Sequence, residues 1–139
     1  MNVLVDTPIW SLVLRRKRHD LNSVERVQID KWTELIRSRR VQIVGPVRQE
    51  LLSGIRDETQ FGKISNGLRA FPDVHLSEDD YEEAARMYNI CRRRGIAGSA
   101  TDLLLCAVAF RRRWQIFTTD RDFARYARIL DIELLPTGA

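Results

Sequence analysis

The chain has 139 residues, 44% hydrophobic and 30% charged, with a net charge of +4 and a pI near 9.5. That length suits one hydrophobic core rather than two, and no stretch approaches the roughly 20 apolar residues of a membrane span. Asp6 and Pro8 interrupt the first apolar run before it reaches the length of a secretory leader, so a single domain over residues 1–139 is expected in the cytoplasm.

Asn2 to Val5 forms an apolar run closed by Asp6, and Thr7-Pro8 reads as an N-cap followed by proline at the first helical position. Val24, Val27, Trp32, Leu35 and Ile36 predict a helix with one apolar face, ending among Arg37 to Arg40. Val41 to Val44 is a buried-strand run, after which Gly45-Pro46 opens a helix that carries Glu50 one turn in and ends near Gly54. Phe61, Ile64, Leu68 and Phe71 keep helical spacing over about 59–70, and Val74-His75-Leu76 reads as a brief strand. Ser77 and Asp80 resemble a capping box at the head of a helix that stops at Gly95. Ser99 to Asp102 then leads into Leu103–Phe110, apolar all round and therefore interior. Gln115 to Thr118 is a strand, Asp120 begins a short helix to about Leu130, and Ile132 to Leu135 closes the chain as a last strand. Strands separated by helices imply a parallel sheet wrapped by helices, the α/β class.

Cys91 and Cys106 lie fifteen apart on predicted helices, with neither zinc-site spacing nor disulfide density, and are expected to be reduced core residues. Of 23 basic residues only Lys17, Lys31 and Lys63 are lysines. Arginine's planar fork matches phosphate oxygens in pairs, so an arginine-rich surface suits a polyanion. The arginines cluster at Arg15-Arg16-Lys17-Arg18, Arg37 with Arg39-Arg40, Arg92-Arg93-Arg94 and Arg111-Arg112-Arg113. The alternative is that they are solvated helix ends complementing the macrodipole.

Four acids, Asp6, Glu50, Asp102 and Asp120, fall where a strand ends or a helix begins. In an open α/β sheet those points face one crevice. Two carboxylates about 4 Å apart at an effective dielectric of about 20 repel by roughly 4 kcal/mol, so converging acids stay ionised together only around a cation. Singly, Asp6, Asp102 and Asp120 also read as helix caps. Jointly they suit Mg²⁺ or Mn²⁺, hard ions that prefer oxygen ligands, and such a centre hydrolyses phosphodiesters without a nucleophilic side chain or histidine. The two histidines, His19 and His75, occupy unrelated segments.

Val3-Leu-Val-Asp6-Thr7, Pro46-Val-Arg-Gln-Glu50, Ala100-Thr-Asp102-Leu-Leu-Leu and Ile116-Phe-Thr118-Thr-Asp120-Arg-Asp122-Phe together resemble the PIN-domain ribonucleases, and among them the VapC-type toxins of type II toxin-antitoxin systems, over essentially the whole chain. The resemblance implies a three-layer α/β sandwich with a five-stranded parallel sheet in the order 3-2-1-4-5. It implies Asp6, Glu50, Asp102 and Asp120 as catalytic, metal-holding acids, with Asp122 an auxiliary acid and Thr118 a hydroxyl close to the site. It further implies Mg²⁺- or Mn²⁺-dependent endoribonuclease activity by a metal-activated water, an RNA substrate, a homodimer and a cognate antitoxin. Arg15, Arg16, Arg18, Arg92, Arg93 and Arg94 are the candidate RNA contacts, provided their segments flank the crevice. Two readings from other classes stay open at this point: a non-catalytic RNA- or partner-binding module whose acids only cap helices, and a Mg²⁺-dependent receiver or phosphohydrolase-like domain.

Overall fold

A computed structural model of the chain describes residues 1–15 and 18–136. Its centre is β1 (Val3–Val5), three side chains with no solvent exposure. A strand buried on both faces must be apolar at consecutive positions rather than alternate ones, which is why this run carries no polar residue. β1 pairs in parallel on one side with β2 (Val41–Gln42), Val3 opposite Val41, and on the other with β3 (Gln115–Phe117), Val5 opposite Phe117. β4 (Glu133–Leu134) lies in parallel outside β3, giving the order β2-β1-β3-β4. The α/β class with a parallel sheet flanked by helices is as expected.

The expected fifth strand at Val74–Leu76 is not formed. Its place is held by a single parallel bridge between Ile43 and Asp73, with the Val74 N–H donating to the Ile43 carbonyl at 2.8 Å. The cause lies just upstream. Arg48 donates to the Leu68 and Phe71 carbonyls and to Asp73 Oδ1, and Pro72 has no N–H to give a ladder. The chain therefore meets the sheet edge at one point instead of running along it.

Among the described residues seven helices accompany the sheet, α1 (Thr7–Arg15), α2 (Ser23–Arg37), α3 (Gly45–Leu52), α4 (Glu58–Leu68), α5 (Glu78–Arg93), α6 (Ala100–Arg112) and α7 (Asp122–Ile129), with a 3-10 turn at Arg18–Asp20. Trp10 of α1 is wholly buried, donates its indole N–H to the Val5 carbonyl at 3.0 Å, and meets Trp32 and Phe71 edge-on. On α2 the apolar face is shorter than the spacing predicts: Leu35 and Gln28 are buried, whereas Val24 and Val27 are 53% and 42% exposed. The first turns of α2 therefore stay in solvent, while Gln28 and Leu35 further along it are buried. α6 buries seven consecutive residues, Leu103–Ala109, as a helix apolar all round must. Cys91 and Cys106 are both free and buried, as expected.

α5 runs antiparallel to α6, and the register is set by one buried acid. Asp80 closes the predicted capping box, accepting from the Ser77 N–H at 2.9 Å, and also accepts from Arg111 and Arg112 at 2.6 and 2.8 Å. These guanidinium contacts, the hydrogen bond from Arg112 above all, hold its carboxyl well below the usual carboxylate range. Because the head of α5 is tied to the tail of α6, the tail of α5 lies beside the head of α6.

Candidate metal centre

Parallel strands end on one edge of the sheet, so β1 and β3 deliver the residues after them to the same place. Asp6 follows β1, and Thr118 to Asp122 follow β3. Asp6 is 5% exposed. Its carbonyl begins α1 by accepting from the Ile9 and Trp10 N–H groups, so Asp6 rather than Thr7 is the cap, one position earlier than the sequence suggests. Its Oδ1 accepts from the Thr7 N–H at 2.8 Å and its Oδ2 from the Thr118 hydroxyl at 2.8 Å. That hydroxyl in turn accepts from the Asp120 N–H at 3.0 Å, and Asp120 Oδ1 accepts from the Asp122 N–H at 2.9 Å. Thr118 thus joins Asp6 to Asp120 and, through it, to Asp122.

Asp102 reaches the same spot from the other side, in the first turn of α6. The Ser99 hydroxyl caps that helix by accepting from the Asp102 N–H at 3.0 Å, leaving the carboxylate available to its surroundings. Carboxylate oxygens of Asp102, Asp120 and Asp122 all lie within 4.8 Å of one another. Asp122, assigned an auxiliary role by the resemblance, is therefore in the tightest group. Glu50 is not: it is exposed on α3, near enough for its charge to act on Asp6.

The electrostatics follow from crowding. Burial pushes the Asp6 carboxyl up to about 6, opposed by the Thr118 hydroxyl and the Thr7 N–H and reinforced by the charges of Asp102 and Glu50. Asp102 is raised chiefly by burial too, with hydrogen bonds from Tyr126 and Ser99 opposing and the charges of Asp120 and Asp122 adding to the rise. Arg125 pairs with Asp122 at the margin. The Thr7 hydroxyl, next to Asp6 in sequence, is buried with no hydrogen-bond partner among the described residues. Pro8, two residues after Asp6, offers neither hydroxyl nor amide.

This donor set fits a divalent cation of the Mg²⁺ or Mn²⁺ kind. It consists of carboxylate oxygens at chelating separations, already repelling one another in a half-buried place, and a nearby charge of +2 would relieve that repulsion.

The candidate RNA contacts divide. Arg92, Arg93 and Arg94 are exposed at the tail of α5, the end that lies beside Asp102, and Arg92 stacks over the Tyr88 ring. Arg15 closes α1, nine residues and about 13 Å of helix from Asp6. Arg16 and the side chain of Arg18 lie outside the described residues. Sequence reasoning did not single out Tyr126, whose hydroxyl donates to Asp102 Oδ2 at 2.8 Å. Three residues after Phe123 on a short amphipathic helix, it reads as packing alone.

Residues 3–129 match the PIN domain family. No curated protein matches the chain. Among solved structures it is similar to FitAcB from Neisseria gonorrhoeae, at 16% identity over 97% of both chains with a TM-score of 0.74. It is similar to VapBC-1 from nontypeable Haemophilus influenzae at 14% identity over 100% of both chains with a TM-score of 0.74. VapBC2 from Rickettsia felis, bound to a DNA fragment from their promoter, is 16% identical over 97% of this chain and 98% of that one with a TM-score of 0.73. At these identities the likeness is one of fold.

Proposed function

This chain belongs to the PIN domain family, and from that premise we propose that it is a Mg²⁺- or Mn²⁺-dependent endoribonuclease, the toxin of a toxin-antitoxin pair. The observation that carries the reading is the convergence of Asp102, Asp120 and Asp122 within 4.8 Å, with Asp6 buried behind them. Asp6, Asp102, Asp120 and Asp122 would hold the ion, and Glu50 would complete the rim. A divalent ion bound there supplies an acidified water as nucleophile and a positive charge for the departing oxygen.

The protein's own part is positional. Thr118 keeps Asp6 ionisable and aimed by donating to it, while accepting from the Asp120 backbone, so the two strand ends cannot drift apart. Four carboxylates also repel the phosphate backbone of RNA, which makes substrate approach depend on neutralisation by the ion and by cations nearby. Arg92 to Arg94 would supply those cations, a role supported by their exposure at the end of α5 that lies beside Asp102.

The remaining partners are proposed on the family and its neighbours: a cognate antitoxin, since the similar structures are of VapBC and FitAcB, and a second copy of this chain. Light scattering on the purified protein is expected to give twice the monomer mass. The decisive experiment for the chemistry is Asp102→Asn, which keeps the shape of the side chain and removes its charge. Cleavage of RNA in Mn²⁺ is expected to fall at least 100-fold, with the melting temperature of the metal-free protein held. Undiminished cleavage by a preparation free of host nuclease would overturn the proposal.

A further inference from the structure

Tyr126 is a polar residue that the proposed chemistry does not use, yet it touches the centre. Its ring is wholly buried on α7, edge-on to Phe123 at 5.2 Å, and its hydroxyl donates to Asp102 Oδ2 at 2.8 Å. A buried tyrosine hydroxyl finds some partner almost always, so the bond alone says little. Its location says more. The acceptor is a charged group in the acid cluster rather than a carbonyl, and Gly98, whose missing side chain makes room first for Leu103, lets the loop close down against the Tyr126 ring. A Cβ there would stand 3.3 Å from the Tyr126 hydroxyl and 2.3 Å from Leu103. The loop before α6 thus packs closely on both Leu103 and the Tyr126 side chain that meets the carboxylate at the head of α6.

We propose that Tyr126 is a positioning residue for the metal centre: its hydroxyl fixes the Asp102 carboxylate and ties α6 to the helix that carries Asp122. Resting on the reading above that these acids hold a divalent ion, it adds to the support that Thr118 gives Asp6 a second one, at Asp102. An aspartate left free there would sample other rotamers and lose part of its affinity for the ion. Hydrogen-bond partners of ligating groups typically govern 10- to 100-fold in metal affinity.

The test is Tyr126→Phe, which keeps the ring and deletes the hydroxyl. Calorimetric titration with Mn²⁺ is expected to show binding about 10-fold weaker than in the parent, with the metal-free melting temperature within a few degrees. A purely packing role predicts equal affinity, and that result overturns the inference while leaving the metal centre standing. A parent protein that takes up no Mn²⁺ overturns the metal reading itself, and this inference with it. A second measurement needs no substitution in the core. With 3-fluorotyrosine incorporated, the Tyr126 fluorine resonance, assigned by removing Tyr81 and Tyr88 in turn, is expected to shift during Mg²⁺ titration along the calorimetric binding curve. A resonance indifferent to Mg²⁺ would equally overturn the inference.

Discussion

Asp6 shows how a single residue carries the conflict between folding and chemistry. Buried for its place in the sheet, its carboxyl rises from 3.8 to about 6, so the folded protein holds its proton more tightly than the unfolded chain does. The stabilising contribution of that protonated form is complete below pH 3.8 and is lost as the pH rises through about 6. A shift of this size corresponds to about 3 kcal/mol. In chelator, Asp6→Asn is therefore expected to gain up to about 3 kcal/mol on the parent between pH 4 and pH 7, read from denaturant melts at each pH. A difference between the two proteins that stays flat with pH would count against burial as the cause. Added Mn²⁺ is expected to stabilise the parent more at pH 7 than at pH 5, because protons and the ion compete for the same oxygens. The acids at strand ends were legible in the sequence because each closes an apolar run or opens a helix. The ranking among them was not. Asp122 sits in the tight group and Glu50 at the rim because of how far α7 and α3 stand from α6, which no spacing encodes. The Tyr126 contact was hidden for the same reason, joining residues 24 apart through the packing of two helices.

Among the elements, α5 and α6 depend on Asp80, which is fully buried and accepts from both Arg111 and Arg112. Removing one member of a buried charge network strands the others, at about 3 to 5 kcal/mol. Asp80→Asn is expected to cost about 3 kcal/mol at pH 7 in denaturant melts. Its depressed carboxyl contributes stability that is present above pH 3.8 and is lost as the pH falls below that value, so the variant and the parent are expected to converge in acid. Mn²⁺ affinity is expected to be unchanged, since Arg112 lies ten residues, about 15 Å of helix, from Asp102. Equal stability of the two proteins at pH 7 would show that the α5–α6 register is set elsewhere. The capping box at Ser77 and Asp80 was readable because both partners are local, whereas the arginines that complete it arrive from more than thirty residues away. The missing strand at Val74–Leu76 has a comparable origin: its apolar pattern is right, but Arg48 and Pro72 settle the backbone just before it.

Across the whole molecule, some arginines are paired with acids, and others are exposed near the proposed site. Arg111 and Arg112 bind Asp80, Arg113 pairs with Asp131, and Arg48 clamps the turn before Asp73, all of them structural. Arg92 to Arg94 are exposed at the tail of α5 beside the acids. Replacing all three with alanine is expected to weaken RNA binding and to flatten the dependence of log K on log salt by about 2, at about 0.7 per phosphate contact on a single strand. Titrations at several salt concentrations would reveal this, and an unchanged slope would place the RNA elsewhere. One consequence concerns the order in which the chain is made. Of the four described strands the innermost, β1, precedes the rest in the chain, yet its neighbour β3 comes more than a hundred residues later, and the Asp6–Thr118 bond spans 112 positions. A nascent chain emerging from the ribosome at about 5 to 20 residues per second therefore has β2 to pair with early but keeps the other edge of β1 open for several seconds until β3 arrives. Truncated translation products would have half a nest of acids and no means of closing it. If the protein destroys RNA, it does so only once the segment that carries Asp120 and Asp122 has been made.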